Sequence, residues 1–245
     1  HAFLVSPGEG AVPLPLRPIA GPNGQLTLHY CHRAEERGQL LAFSTTLFDQ
    51  VIASTCGATW TWNQPGYLDV LNPEAVRVFI DYCYEPYVQR FAEYLGREVP
   101  GFFTDEPGLC GWVGTGANTF PYTHHLWDAF RERYGYSLEG RLPELVLETG
   151  CWVTTRSDYW RLVSDLFAES YARQINDWCV AHGLQFTGHY QAEEYVRHNV
   201  RISGDIHRAA RAMSIPGIDL LGELTSYDVL PGLPWPEYDQ RVLNT

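Results

Sequence analysis

Apolar and polar positions alternate in two different ways along the chain, and the pattern changes near Gly66. Residues 1–66 contain short apolar runs bounded by Pro, Gly and charged residues, which is typical of strands separated by turns. The runs are "QLTLHY", "QLLAFSTTLF" and "QVIASTCGATWTW". After Gly66 the apolar positions recur over longer, amphipathic runs. We therefore predict a β-rich segment over residues 1–66 and a second region of helices and strands over residues 67–245.

The first amphipathic run predicts a long helix followed by a strand. The stretch 72–74 is typical of a helix start, with an Asn that can cap, a Pro at the first helical position and a Glu in the first turn. Apolar residues then recur at three- and four-residue steps as far as Gly96, and Pro86 predicts a kink. The stretch 99–104 is too short for another helix and predicts a buried strand.

Two further units repeat this order. A helix is predicted from Ser157 to Gly183 before the apolar stretch "LQFTGHY", and a shorter one from Asp205 to Met213 before "IPGIDLLGE". Three helix-then-strand units, with strands apolar enough to be covered on both faces, predict a parallel α/β architecture.

Composition limits the classes of partner. The chain has 245 residues, of which 45% are hydrophobic and 14% aromatic, as in folded globular proteins. The 17 basic and 29 acidic residues give a net charge of −12. No basic cluster interrupts this excess, so we expect neither nucleic acid nor an anionic membrane as a partner. No apolar run approaches the ~18 residues that span a bilayer, and no signal-peptide pattern begins the sequence.

The six cysteines are scattered without a CxxC pair, which argues against a zinc ribbon or a thioredoxin-type site. We expect most of them to be reduced and buried, which favours a cytoplasmic protein. They are Cys31, Cys56, Cys83, Cys110, Cys151 and Cys179.

Acidic residues follow all three predicted strands. In a (β/α) barrel the carboxyl ends of the strands form the active face. The residues at those ends are 104–106, 189–194 and 219–223. A single acid after a strand often caps the next helix. Three acidic strand ends in succession favour a functional site instead.

Several carboxylates and aromatic residues in one pocket suit glycoside hydrolysis, in which one carboxylic acid protonates the leaving oxygen and a second carboxylate attacks or activates water. Tryptophans near the predicted pocket offer apolar platforms for a sugar ring; they are Trp60, Trp62 and Trp112. The sequence has no GxSxG, P-loop, GxGxxG or HExxH motif.

Two alternatives stay open. The first is a non-catalytic carbohydrate-binding or degenerate barrel. The second is a metal-dependent hydrolase, which is disfavoured because adjacent histidines do not readily converge on one ion from a helix. Its candidate ligands are His124, His125, His189, His198 and Glu193.

Four blocks of the sequence resemble large bacterial glycoside hydrolases of the α-L-rhamnosidase type, family 106 and its glycosyl hydrolase family 2-like relatives. The resemblance spans residues 67–225, and the blocks are "YLDVLNPEAVRVFIDYCYEPYVQRF", "GFFTDEPGL", "FTGHYQAEE" and "IPGIDLLGE". It implies a TIM-barrel catalytic domain with a β-rich insertion before the fourth strand. It also implies a calcium ion at the sugar hydroxyls, although no ligand spacing in this sequence indicates one.

The resemblance also assigns roles to residues. Glu106 in "TDEP" is expected to be the general acid, and Glu193 in "TGHYQAEE" the base or nucleophile, with Glu194 and Glu223 as reserves. The residues expected to contact the carbohydrate substrate are Asp105, His189, Asp219, Glu223 and Trp112.

The position of these blocks predicts a partial barrel. If "GFFTDEP" is the fourth strand and "IPGIDLLGE" the sixth, the chain supplies about strands 4 to 6 of a (β/α)8 barrel, with residues 1–66 as the inserted segment. Unpaired strand edges favour association with other strands. We therefore expect self-association through open strand edges.

Overall fold

The computed structural model describes residues 1–6, 10–17, 19–21, 26–27, 29–31, 38–45, 68–109, 119–191 and 196–219. The strands are β1 (Ala2–Ser6), β2 (Gly10–Leu14), β3 (Ile19–Ala20), β4 (Leu26–Thr27), β5 (Gln39–Ala42), β6 (Gly101–Asp105), β7 (Gln185–His189) and β8 (Ile215–Pro216). The α-helices are α1 (Pro73–Cys83), α2 (Glu85–Phe91), α3 (Leu126–Tyr134), α4 (Pro143–Val146), α5 (Trp152–Phe167), α6 (Gln174–Ala181), α7 (Val196–Ser203) and α8 (Ile206–Ala210).

The chain divides into two compact units. The first comprises His1–Thr46 and His125–Tyr159. Its strands form an antiparallel sheet in the order β2-β1-β5, while β3 and β4 form a separate antiparallel pair. Phe3 is buried, with its ring edge-on to Phe43 at 5.9 Å between centroids. Strands β1 to β5 all precede residue 46, although β1 and β2 lie in stretches that the sequence pattern did not indicate. The β-rich segment over residues 1–66 stays a prediction.

The second unit comprises Leu47–His124 and Trp160–Thr245. Helix α1 begins as predicted, because the side chain of Asn72 accepts a hydrogen bond from the Glu74 N–H at 3.0 Å. Val76 and Ile80 are buried and form its core-facing side. The predicted kink at Pro86 appears as a break, since α1 ends at Cys83 and Pro86 lies in the first turn of α2.

The second half of that helical run differs from the expected apolar stripe. Helix α2 ends at Phe91, and none of its residues is buried. Tyr87 and Phe91 are each nearly half exposed. Their three- and four-residue spacing therefore does not mark a core-facing surface within the part of the chain that the structure describes.

The second predicted helix begins at Trp152 rather than Ser157 and continues through a π-helical turn, Ala168–Arg173, into α6. The π turn packs against the start of α1: the Ser170 hydroxyl donates to the Leu71 carbonyl at 3.1 Å. A π turn shifts the helical register by one residue, and such turns are common near functional sites.

The three strands of the second unit form a parallel sheet in the order β6-β7-β8. One face of β6 is covered, because Phe102 stacks on Tyr84 at 4.6 Å and lies 5.8 Å from Trp178. The opposite face carries Phe103, which is 62% exposed. The expectation that both faces are covered is therefore not met for β6 among the described residues.

These three parallel strands do not close on themselves within the described residues. The (β/α)8 barrel, and the assignment of these strands as the fourth to sixth, stay predictions. The same holds for the boundary at residue 66, because residues 46–67 lie outside the described part of the chain.

The expectation of buried cysteines is wrong for most of those described. Cys31, Cys83 and Cys151 are exposed, and Cys179 is buried; all four are free thiols. Burial raises the pKa of the Cys179 thiol to about 12, so this side chain stays neutral. Cys56 and Cys110 lie outside the described residues.

In the described residues, no helix combines the length and apolar content needed to cross a membrane.

Candidate functional site

The carboxyl ends of β6 and β7 bring two predicted site residues together. The parallel register pairs Asp105 directly with His189. Their side chains meet, with 3.3 Å between His189 Nε2 and Asp105 Oδ1. This distance permits a hydrogen bond, and the contact is an ion pair whenever the imidazole is protonated. The structure thus brings these two candidate residues into contact at the ends of β6 and β7.

Glu106 joins this pair because its backbone leaves the strand conformation. Successive side chains of a strand point to opposite faces, so Asp105 and Glu106 would normally diverge. Glu106 instead has φ +49°, in the left-handed region that non-glycine residues rarely adopt. One polar atom from each of Asp105, Glu106 and His189 lies within 4.8 Å of the others. We call these three residues the strand-end cluster.

The strand-end cluster is covered on one side and open on the other. The side chain of His189 is only 13% exposed, whereas that of Asp105 is 71% exposed. Phe103 lies edge-on to the His189 ring, with 5.7 Å between centroids. Glu106 is half-buried. The imidazole is thus fixed by its surroundings, while the carboxylate of Asp105 can reach a ligand from solvent.

A buried hydrogen bond joins the end of β6 to the π-helical turn. The hydroxyls of Thr104 and Tyr171 are 2.8 Å apart, and both residues are buried. Desolvation raises the pKa of Tyr171 to about 12, and the bond to Thr104 opposes that rise. Tyr171 therefore stays protonated and can donate to Thr104. The bond ties the residue preceding Asp105 to the π-helical turn.

Gly188, immediately before His189, lets β6 and β7 come close together. Its φ is +137°, and a Cβ atom placed there would lie 2.1 Å from the Thr104 carbonyl oxygen. The Gly188 carbonyl also accepts a hydrogen bond from the Gly217 N–H at 2.8 Å. A side chain at this position would force the strands apart, and with them Asp105 and His189.

The chain after His189 is anchored to α7. Tyr190 is buried, with its ring 5.6 Å from that of Phe167. The Gln191 carbonyl accepts hydrogen bonds from Ser203 at 3.1 Å and Asn199 at 3.4 Å. These contacts hold the backbone that leads away from the strand-end cluster.

The other predicted site residues have different outcomes. Asp219 is half-buried three residues after β8 and is not part of the strand-end cluster. The remaining candidate catalytic residues and sugar contacts lie outside the described residues; they are Glu193, Glu194, Glu223, Trp60, Trp62 and Trp112. His124 and His125 are described and are not part of the strand-end cluster.

Sequence reasoning missed two supporting features, Gly188 and the Thr104–Tyr171 bond. The glycine directly before the histidine in "FTGHY" is the signal available for the first, since glycine inside a strand often marks a close backbone approach. The second joins positions 67 residues apart, and no local pattern indicates it.

The strand-end cluster does not suit the calcium ion implied by the resemblance. Ca²⁺ takes six to eight oxygen ligands in proteins. Among the described residues the cluster offers two carboxylates and one imidazole nitrogen. Imidazole is instead a ligand of zinc, copper, iron and nickel. The imidazole of His189 is therefore a poor match for calcium, and the calcium ion that the resemblance implies stays a prediction.

No protein-family model matches the sequence. The search of curated proteins likewise gives no match. Among solved structures, the chain is similar to a rhamnosidase from Novosphingobium sp. PP1Y, with 20% sequence identity and a TM-score of 0.46. The alignment covers 61% of this chain and 14% of the rhamnosidase chain. The chain thus spans a small part of that protein.

Proposed function

We propose that the strand-end cluster belongs to the active site of a glycoside hydrolase, with Glu106 as the general acid. The observation that carries this proposal is the position of Glu106. It is half-buried at the carboxyl end of a parallel strand and turned by its left-handed backbone toward Asp105 and His189. The resemblance of "GFFTDEPGL" to rhamnosidase-type hydrolases supports the same role. An α-L-rhamnoside is the substrate that this resemblance favours.

The second catalytic carboxylate is proposed to come from a different strand end than Glu106. The two carboxyl groups of a retaining glycosidase are about 5–5.5 Å apart, and those of an inverting enzyme about 6.5–9.5 Å. Asp105 follows the same strand as Glu106 and contacts His189 at 3.3 Å, so we assign it to substrate binding. The proposed base or nucleophile is Glu193, as the resemblance implies, with Glu194 and Glu223 as reserves.

Asp105 and His189 then serve to hold the sugar. A carboxylate accepts hydrogen bonds from sugar hydroxyls, and an imidazole N–H donates one. Their contact at 3.3 Å fixes both groups at the rim of the site. Asp219 and Trp112 are proposed as further substrate contacts, as expected from the sequence. Positioning of this kind contributes to both binding and rate.

Substitution of Glu106 tests the proposed acid. In the full-length protein, Glu106→Gln should slow the hydrolysis of aryl glycosides with poor leaving groups by ~10²–10⁴-fold, the usual contribution of a general acid. Substrates with activated leaving groups need no protonation and should be little affected. Steady-state kinetics on a leaving-group series measures the difference. Glu93→Gln is the matched control, because Glu93 is exposed in the same unit. Equal losses on all leaving groups would remove Glu106 from this role.

Carbohydrate binding without catalysis is the second candidate. Phe103 favours it, because its exposed ring lies beside His189 and offers an apolar platform for a sugar face. Calorimetry with rhamnosides distinguishes the two functions. Binding that needs Phe103 and His189, with no turnover of any aryl glycoside, would indicate a binding module.

A further inference from the structure

We infer that Asp105, Glu106 and His189 form a binding site for a divalent transition-metal ion of the zinc class. The poor match between the His189 imidazole and calcium is the starting point. Two carboxylate oxygens and one imidazole nitrogen form a mixed donor set that Zn²⁺ and Co²⁺ accept. The inference concerns binding and stands independently of the proposed hydrolase.

The spacing of the three donors suits a small ion. Zinc binds His nitrogen and carboxylate oxygen at about 2.0–2.2 Å, so two donors of one tetrahedral ion lie about 3.3–3.6 Å apart. His189 Nε2 and Asp105 Oδ1 are already 3.3 Å apart. The widest separation in the cluster is no more than 4.8 Å. The exposed side chain of Asp105 can supply the remaining adjustment.

The elements that carry the ligands hold them before an ion arrives. Strand register fixes the backbone positions of Asp105 and His189, and the Thr104–Tyr171 bond fixes the end of β6. A tetrahedral ion held by these three groups keeps a fourth position for water or substrate, as in catalytic zinc sites. The net charge of −12 also favours the approach of cations.

An ion at this site would oppose the proposed role of Glu106. A carboxylate that ligates a metal is ionised and has no proton to give to a leaving oxygen. On the proposed function, therefore, zinc should inhibit poor-leaving-group hydrolysis. Inhibition is a consequence of the inference, whereas binding itself is tested without activity.

The test uses full-length protein stripped of metals with a chelator. Co²⁺ absorption in the visible region reports the ligand environment, and calorimetry compares Zn²⁺ with Ca²⁺. We expect one Zn²⁺ per chain and weaker binding of Ca²⁺. His189→Ala and Asp105→Asn should each lower Zn²⁺ affinity by about tenfold or more, since loss of even a supporting group costs that much at metal sites. His207→Ala is the matched control, because His207 is exposed on helix α8 and is not part of the strand-end cluster.

The possible outcomes distinguish failure of the metal-site inference from failure of the proposed hydrolase function. Zn²⁺ affinity that is unchanged in both cluster variants, or no Zn²⁺ binding at all, would overturn the inference. Ca²⁺ binding tighter than Zn²⁺ at this site would overturn it as well. Asp105→Asn retains the size of an exposed side chain, so it keeps the test decisive if His189→Ala fails to fold. If Glu106→Gln does not change how the rate depends on the leaving group, Glu106 is not the general acid. The metal-binding results are unaffected by that outcome.

Discussion

At the scale of single residues, the backbone conformation of Glu106 determines which side chains meet in the strand-end cluster. A regular strand would point Asp105 and Glu106 to opposite faces. The left-handed φ of +49° ends the alternation and keeps both carboxylates near His189. For a non-glycine residue this conformation costs about 1–2 kcal/mol relative to ordinary backbone. The strained residue is also the proposed acid, and strain of this kind concentrates at functional sites.

The backbone strain at position 106 predicts that the glycine variant there is at least as stable as the alanine variant, which reverses the usual order in a strand. We expect Glu106→Gly to equal Glu106→Ala in stability or exceed it by up to about 1 kcal/mol, because only alanine keeps the left-handed penalty. At the exposed strand position Phe103, alanine should instead exceed glycine by about 0.5–1 kcal/mol. Urea unfolding of the four variants measures both differences. The same alanine preference at both positions would refute the strain at Glu106.

At the scale of elements, the site depends on how closely β6 and β7 pack. Gly188 sits opposite Thr104 in the register, and its missing side chain allows the two backbones to meet. Thr104 is in turn tied to Tyr171 in the π-helical turn. The strand end, the neighbouring strand and the helix behind them thus form one connected support for Asp105 and His189.

Gly188→Ala should therefore destabilise the second unit by about 2–5 kcal/mol. The new methyl group would clash with the Thr104 carbonyl and sit on a backbone that side chains rarely adopt. Gly183→Ala is the matched control: Gly183 has φ +69° but no atom within 4 Å of an added Cβ. We expect it to cost only about 1 kcal/mol. Equal losses in chemical unfolding would show that close strand packing is not the cause.

Local sequence patterns predicted where helices and strands begin and end better than they predicted how these elements pack. The start of α1 at Asn72 and the break before Pro86 follow from capping and proline geometry, which act within a few residues. The exposure of Tyr87 and Phe91 and the π turn depend on distant packing, so their spacing gave no warning. The sequence likewise placed Asp105 and His189 at strand ends, but only the parallel register brings them into contact. Nothing in a glutamate's identity signals a left-handed backbone.

At the scale of the whole molecule, a strand edge without a neighbour among the described residues favours self-association, and a strong negative charge opposes it. Strand β6 has β7 as its neighbour on one side, and the described residues place no strand on the other. Phe103 adds an exposed aromatic ring on its open face. An unpaired edge of this kind favours pairing with another strand. The net charge of −12 repels a second copy, and salt screens that repulsion.

The chain should therefore self-associate through β6, and more strongly at high salt. Sedimentation velocity at ~0.05 M and ~0.5 M salt should show the apparent mass rising with both protein and salt concentration, since the Debye length falls below about 10 Å over this range. Phe103→Lys should reduce association, because a charged side chain on an exposed strand opposes pairing. Val153→Lys adds the same charge at a helical position that is 61% exposed, against 62% for Phe103, and should have little effect. The two variants carry the same net charge, so equal association of both would show that β6 is not the contact. A single monomeric species under all conditions would show that this strand does not pair with a second copy.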